Sequence, residues 1–129
     1  DKNNALELSR WIDARRQKYD LKIEMVGELS HSQVHELYIR SSALVYPSTL
    51  ESLGLPLLEA AAAGISIIAS DLDFVHDIIK PTAVFNPYSS ESIADTLIKY
   101  NPKSIVKTVI NPKTSMAFLK HIDTINNKL

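Results

Sequence analysis

The stretch Pro47–Gly64, PSTLESLGLPLLEAAAAG, decides how the chain is read. It is apolar enough for a core, yet it holds two glutamates, Glu51 and Glu59, eight positions apart. Just before it, Ala43–Tyr46 is a short apolar run that reads as a buried strand, ended by Pro47-Ser48. Pro56 suits the first turn of a helix, where its missing N–H is not needed. Leu57 to Ala63 continues that helix, and Gly64 suits the position just past its end. The stretch is therefore the loop and helix that follow a buried strand. One carboxylate lies in the loop and the other in the early turns of the helix.

The same pattern continues in both directions. Residues 3–18 read as a helix with Leu8, Trp11, Ile12 and Arg15 on one face and Asn3 or Asn4 as its cap. Leu21–Val26 reads as a strand closed by Gly27. Ser32–Arg40 reads as a helix capped by Ser30 or Ser32, with Val34, Leu37 and Tyr38 turned inward. After the quoted stretch, Ile65–Ala69 is β-branched and apolar and reads as another buried strand. Asp73–Ile79 is a short helix, and Ala83–Phe85 a strand broken by Asn86-Pro87. Ser89 or Ser90 opens a helix with Ile93, Ala94, Leu97 and Ile98. Residues 103–110 and 113–127 read as two further helices. Alternation of helices with buried strands predicts an α/β fold, a Rossmann-like parallel sheet with helices on both faces.

Composition narrows the function. The chain has 129 residues, which suits one domain, and its 45% apolar and 22% charged content is that of a globular protein. A net charge of −1 offers no basic excess, so nucleic acid is not an expected partner. Without cysteine there is neither a disulfide nor a thiolate metal site. No apolar run reaches the ~18 residues of a transmembrane helix. The chain opens at Asp1 without methionine, and we expect it to be a piece of a longer protein.

In an open α/β sheet, ligands bind beyond the carboxyl ends of the strands. Ser48–Leu55 occupies such an end and leads into a helix N-terminus, where free N–H groups and the helix dipole favour an anion such as phosphate. Gly54 has no Cβ and allows close approach to its backbone. Glu59 is placed to accept hydrogen bonds from a ribose cis-diol, and Glu51 to hold sugar hydroxyls beyond the phosphates. Together these features describe a cradle for a nucleoside-diphosphate sugar.

The stretch resembles the signature of retaining family-4 glycosyltransferases with the GT-B fold, roughly P-S-x-x-E-G-F-G-L-P-x-x-E-A-x-x-x-G, the E-x7-E motif. Glu51 and Glu59 match its two glutamates, and Pro47, Ser48, Gly54, Leu55, Pro56, Ala60 and Gly64 match as well. VGELSHSQVHELYIRSSALVYPS, ISIIASDLDFVHDII and AVFNPYSSESIADTLIKY resemble the flanking strands and helices, so residues 21–100 are covered. The resemblance implies that residues 1–129 form the donor-binding domain. An N-terminal acceptor-binding Rossmann domain of the same protein would lie outside this chain. It implies Glu51 as the catalytic carboxylate, with Glu59, Ser52, Leu53, Gly54, Leu55 and Lys2 on the substrate.

The implied reaction moves a sugar from a UDP- or GDP-sugar to a hydroxyl acceptor, in surface polysaccharide or glycoconjugate synthesis. No cofactor and no metal are expected. The place implied is the cytoplasm or the inner face of its membrane, with peripheral membrane contact through the other domain. The chain also departs from the pattern. Ser52 stands for glycine, Leu53 for phenylalanine and His76-Asp77 for Pro-Glu, and no arginine precedes Lys2.

Two other readings use the same residues. One is a non-catalytic nucleotide-binding module that works with a separate acceptor-binding chain. The other is a structural or signalling α/β domain. The remaining polar residues have plain explanations. Asp71 and Asp73 are expected to cap the short helix rather than accept a phosphoryl group, because no acidic metal pocket accompanies them. His31, His35, His76 and His121 lack metal-ligand spacing and read as surface histidines. Tyr46, Leu53 and Trp11 are expected simply to pack.

Overall fold

The computed structural model describes residues 2–102 and 108–111. At its centre lie three parallel strands, β1 (Ala43–Tyr46), β2 (Ser66–Ser70) and β4 (Ala83–Phe85), in the order β1-β2-β4. The register runs from Ala43 opposite Ser66 to Tyr46 opposite Ala69, and from Ile68 opposite Ala83 to Ser70 opposite Phe85. Parallel strands need crossovers, and helices α3 (Leu55–Ala62) and α4 (Asp73–Ile78) supply them. The central strand carries Ile67, Ile68 and Ala69, all fully buried, as a strand covered on both faces requires. Leu57 and Ala60 of α3 and Val75 of α4 are equally inaccessible and pack on the same core. Burying one such leucine or valine side chain is worth ~1.5–3 kcal/mol. The arrangement is the expected Rossmann-like α/β fold.

Local signals set the helix ends. Helix α2 (His31–Arg40) begins at a capping box: the Ser30 hydroxyl accepts from the Gln33 N–H, and the Ser30 N–H donates to Gln33 Oε1 at 2.8 Å. Ser30, not Ser32, is thus the cap. Tyr38 is buried and Val34 packs beside it, whereas Leu37 stays on the rim. Helix α5 (Ser90–Lys99) is capped by Ser89, whose hydroxyl accepts from the Ser92 N–H at 3.1 Å. Gly64 ends α3 at φ 76°, the left-handed turn expected there.

Several expectations are corrected. Leu21–Val26 joins no ladder among the described residues, and Leu21, Ile23, Met25 and Val26 stay exposed; apolar alternation makes a strand only where a neighbour offers hydrogen bonds. Helix α1 (Lys2–Tyr19) already includes Asn3 and Asn4, so neither is its cap. Its Leu8 and Trp11 are more than half exposed instead of packed, and the Arg15 guanidinium lies 4.7 Å from the Trp11 ring.

Within the span expected to form a helix over 103–110, Val109–Ile110 is a strand, β5, antiparallel to β3 (Ile79–Lys80). Two-residue strands exist only through their partner and leave no periodicity to read. Residues 103–107 and the helix expected over 113–127 lie outside the described residues, as does His121. Neither Asp71 nor Asp73 caps α4: its N-cap is Leu72, without a side-chain bond.

Candidate functional site

The parallel register brings the carboxyl ends of β1, β2 and β4 to one side of the sheet. The loop from Pro47 to Gly54 leaves β1 there and turns into α3. Ser48 tightens it by donating its hydroxyl to the Leu50 carbonyl at 3.0 Å. Gly54, at φ 59° and ψ 36°, is the N-cap of α3, a left-handed conformation that suits glycine. A Cβ at Gly54 would meet the Ile78 Cδ1 of α4, the end of a side chain that would have to shift, so packing adds to the demand that the left-handed backbone already makes for glycine. The Gly54 carbonyl accepts from the N–H groups of Leu57 and Leu58 and starts the helix.

Glu51 is held from two sides. The Tyr46 hydroxyl donates to its Oε2 at 2.6 Å, and the Ser52 N–H donates to its Oε1 at 3.0 Å. These bonds, the tyrosine's first and the amide's second, with smaller ones from the Leu53 and Gly54 N–H groups, hold the Glu51 carboxyl below its usual pKa. Burial, and then the bond to Glu51, push the Tyr46 phenol up to about 12. A tyrosine hydroxyl and a backbone amide therefore hold the two oxygens of Glu51 in the loop before α3. Tyr46, expected only to pack, keeps its ring against the core while its hydroxyl serves the loop. A phenol five residues before a carboxylate, across a Pro-Ser turn, was the signal for this contact.

Glu59 has different neighbours. It lies on α3 facing α2, with its side chain 32% exposed and Oε1 3.7 Å from His31 Nδ1. A cavity of ≈180 Å³ opens here, lined by His31, His35, Tyr38, Glu59 and Ala62. The Tyr38 phenol is raised in pKa, by burial foremost and then by the charge and hydrogen bond of Glu59. The two histidines of HSQVH thus face a shared cavity with Glu59, a grouping that spacing alone did not suggest.

The other expected site residues divide. Ser52 and Leu53 are exposed on the same loop, Leu53 unpacked, and Leu55 is exposed at the start of α3. Lys2 is the first residue of α1. Asp71, just past β2, pairs with His76 Nε2 at 2.8 Å. No group of three or more metal-ligating side chains occurs among the described residues. No helix among them is long and apolar enough to cross a membrane.

Comparison with known proteins places this geometry in a lineage. Residues 6–123 match the family model of glycosyl transferases group 1. The chain is 30% identical over 89 residues to the phosphatidylinositol N-acetylglucosaminyltransferase gpi3 subunit of Schizosaccharomyces pombe, covering 67% of this chain and 20% of that protein. It is 35% identical over 72 residues to the O-antigen chain mannosyltransferase RfbU of Salmonella typhimurium, covering 55% and 20%. With the glycogen synthase of Mycobacterium tuberculosis it shares 39% identity over 64 residues, covering 48% and 16%. The chain spans about a fifth of the length of the first two of these relatives. No solved structure matches it significantly. With nearly its whole length inside the family model, the chain belongs to the glycosyl transferases of group 1.

Proposed function

We propose that this chain is the donor-binding domain of a retaining glycosyltransferase. The parent protein transfers a sugar from a UDP- or GDP-sugar to a hydroxyl acceptor held by its other domain, in polysaccharide or glycoconjugate synthesis and without a divalent metal. The observation that carries the proposal is the glycine-capped N-terminus of α3 beyond the carboxyl end of β1, with Glu51 fixed on the loop just before it. The free N–H groups and dipole of a helix N-terminus suit the oxygens of a phosphate. In this reading the loop from Ser52 to Leu55 faces the diphosphate, with Lys2 as an added cation. Glu59 takes the ribose diol beside its cavity, and Glu51 takes hydroxyls of the transferred sugar. As the sugar departs, negative charge collects on the diphosphate, and fixed amides stabilise it without reorganisation. The relatives named above, a mannosyltransferase and an N-acetylglucosaminyltransferase subunit among them, support transfer of a hexose-type sugar.

The test is a titration of UDP, GDP and their common sugar conjugates against the chain by ligand-detected NMR, with Glu59→Ala in parallel. Binding of one nucleotide series, lost in the variant, is the expected result. Equal binding by the variant would remove Glu59 from the site.

A further inference from the structure

We propose that Tyr46 is the positioning residue for Glu51, fixing its carboxylate so that the free lone pairs face the donor sugar. The proposal rests on the donor-binding reading above. An ionised carboxylate offers about four acceptor positions. One on Oε2 is taken by the Tyr46 hydroxyl and one on Oε1 by the Ser52 amide. Both oxygens keep acceptor capacity, and their orientation is fixed.

The fixing comes from the sheet. Tyr46 is the last residue of β1, its backbone paired opposite Ala69 and its ring packed against the core cluster. A tyrosine has few rotatable bonds, and at 2.6 Å a hydroxyl bound to a carboxylate lies in the short, charge-assisted range. Glu51, by contrast, stands on a loop flanked by exposed Leu50 and Ser52. Unbound, its side chain would sample many rotamers; the phenol ties it to the most rigid element nearby. Burial raises the phenol's pKa, so it remains a proton donor across the neutral range. A phenylalanine here would pack as well and donate nothing.

The test is Tyr46→Phe, alone and combined with Glu51→Gln. Two quantities are read in the 129-residue chain. The first is the Glu51 titration, followed by carboxyl carbon NMR. The second is the affinity advantage of UDP-glucose or GDP-mannose over the bare diphosphate. In Tyr46→Phe we expect the Glu51 pKa to rise and the sugar advantage to fall by about tenfold, the scale of one charge-assisted hydrogen bond, while diphosphate affinity holds. In the Glu51→Gln background the same change should add nothing further to the sugar term. An unchanged sugar advantage overturns the proposal, even where the titration moves, because the bond then only staples the loop. A wild-type chain that binds no nucleotide, or binds diphosphate and conjugate equally, overturns the donor reading instead. The titration alone then decides whether Tyr46 holds Glu51.

Discussion

The space in which Gly54 would carry a Cβ is filled by the Cδ1 of Ile78, from the helix that follows the next strand. Loop, α3 and α4 are therefore locked at one point, and the glycine that starts α3 also seats α4. Ile78 is itself buried, so it has little room to yield. Gly54→Ala meets both this overlap and a left-handed backbone. It should destabilise the chain by ~1–3 kcal/mol, combining the two costs. A urea denaturation midpoint checks this, and an unchanged midpoint would mean that Ile78 swings aside.

Burial of the Tyr46 phenol, and then its bond to Glu51, make stability fall at high pH. The phenol titrates near 10 in an unfolded chain and at about 12 when folded. Its contribution is complete below ~10 and is lost as pH rises through the folded value. Denaturation curves from pH 9 to 12 should show this decline, and Tyr46→Phe should flatten it.

The acid limb has the opposite sign. The folded Glu51 pKa lies below its unfolded value. Its contribution is therefore complete above ~4.3 and disappears as pH falls through the lower folded value. Denaturation curves from pH 2 to 7 should show Glu51→Gln less stable than the native chain above ~4.3 and the two converging as pH falls.

Ser30 caps the helix that carries His31, His35 and Tyr38, three of the residues lining the cavity beside Glu59. Ser30→Ala should cost ~0.5–2 kcal/mol. It should also speed amide hydrogen exchange in the first turn of α2 more than in β2. Uniform protection loss across both elements would count against a local cap effect.

The proposed division of labour predicts that the 129-residue chain transfers no sugar by itself. One wall of a cleft does not hold an acceptor in line with the donor. Measured turnover of a nucleotide sugar with a hydroxyl acceptor by this chain alone would overturn that, whatever its affinity for nucleotide.

Much of this was legible in the residues. The Ala43–Tyr46 run, the β-branched Ile67-Ile68 pair, Pro56 after Gly54, and Gly64 fix the strand–loop–helix–strand unit by local signals. Ser30 and Ser89 announce their helices in the same way. What failed were elements whose identity lies in a partner. Leu21–Val26 has the apolar content of a strand but joins no ladder among the described residues, and Ile79–Lys80 with Val109–Ile110 is a ladder too short to show a pattern. The site was legible as far as its two glutamates. The side chains that face them, Tyr46 on one side and His31, His35 and Tyr38 on the other, became visible only when the sheet and α2 were placed. Leu53 and Trp11 went the other way, expected inside and found outside.

Trp11 is the one tryptophan of the chain, 57% exposed on α1 with a guanidinium over its ring. Its fluorescence will report the solvent around that helix, and its emission should be red-shifted in the folded protein. Melting of the β1-β2-β4 sheet will pass almost unseen at tryptophan wavelengths. Tyr38 and Tyr46, set against the core, are the internal optical probes, and tyrosine absorbance is the signal by which this chain's unfolding should be followed.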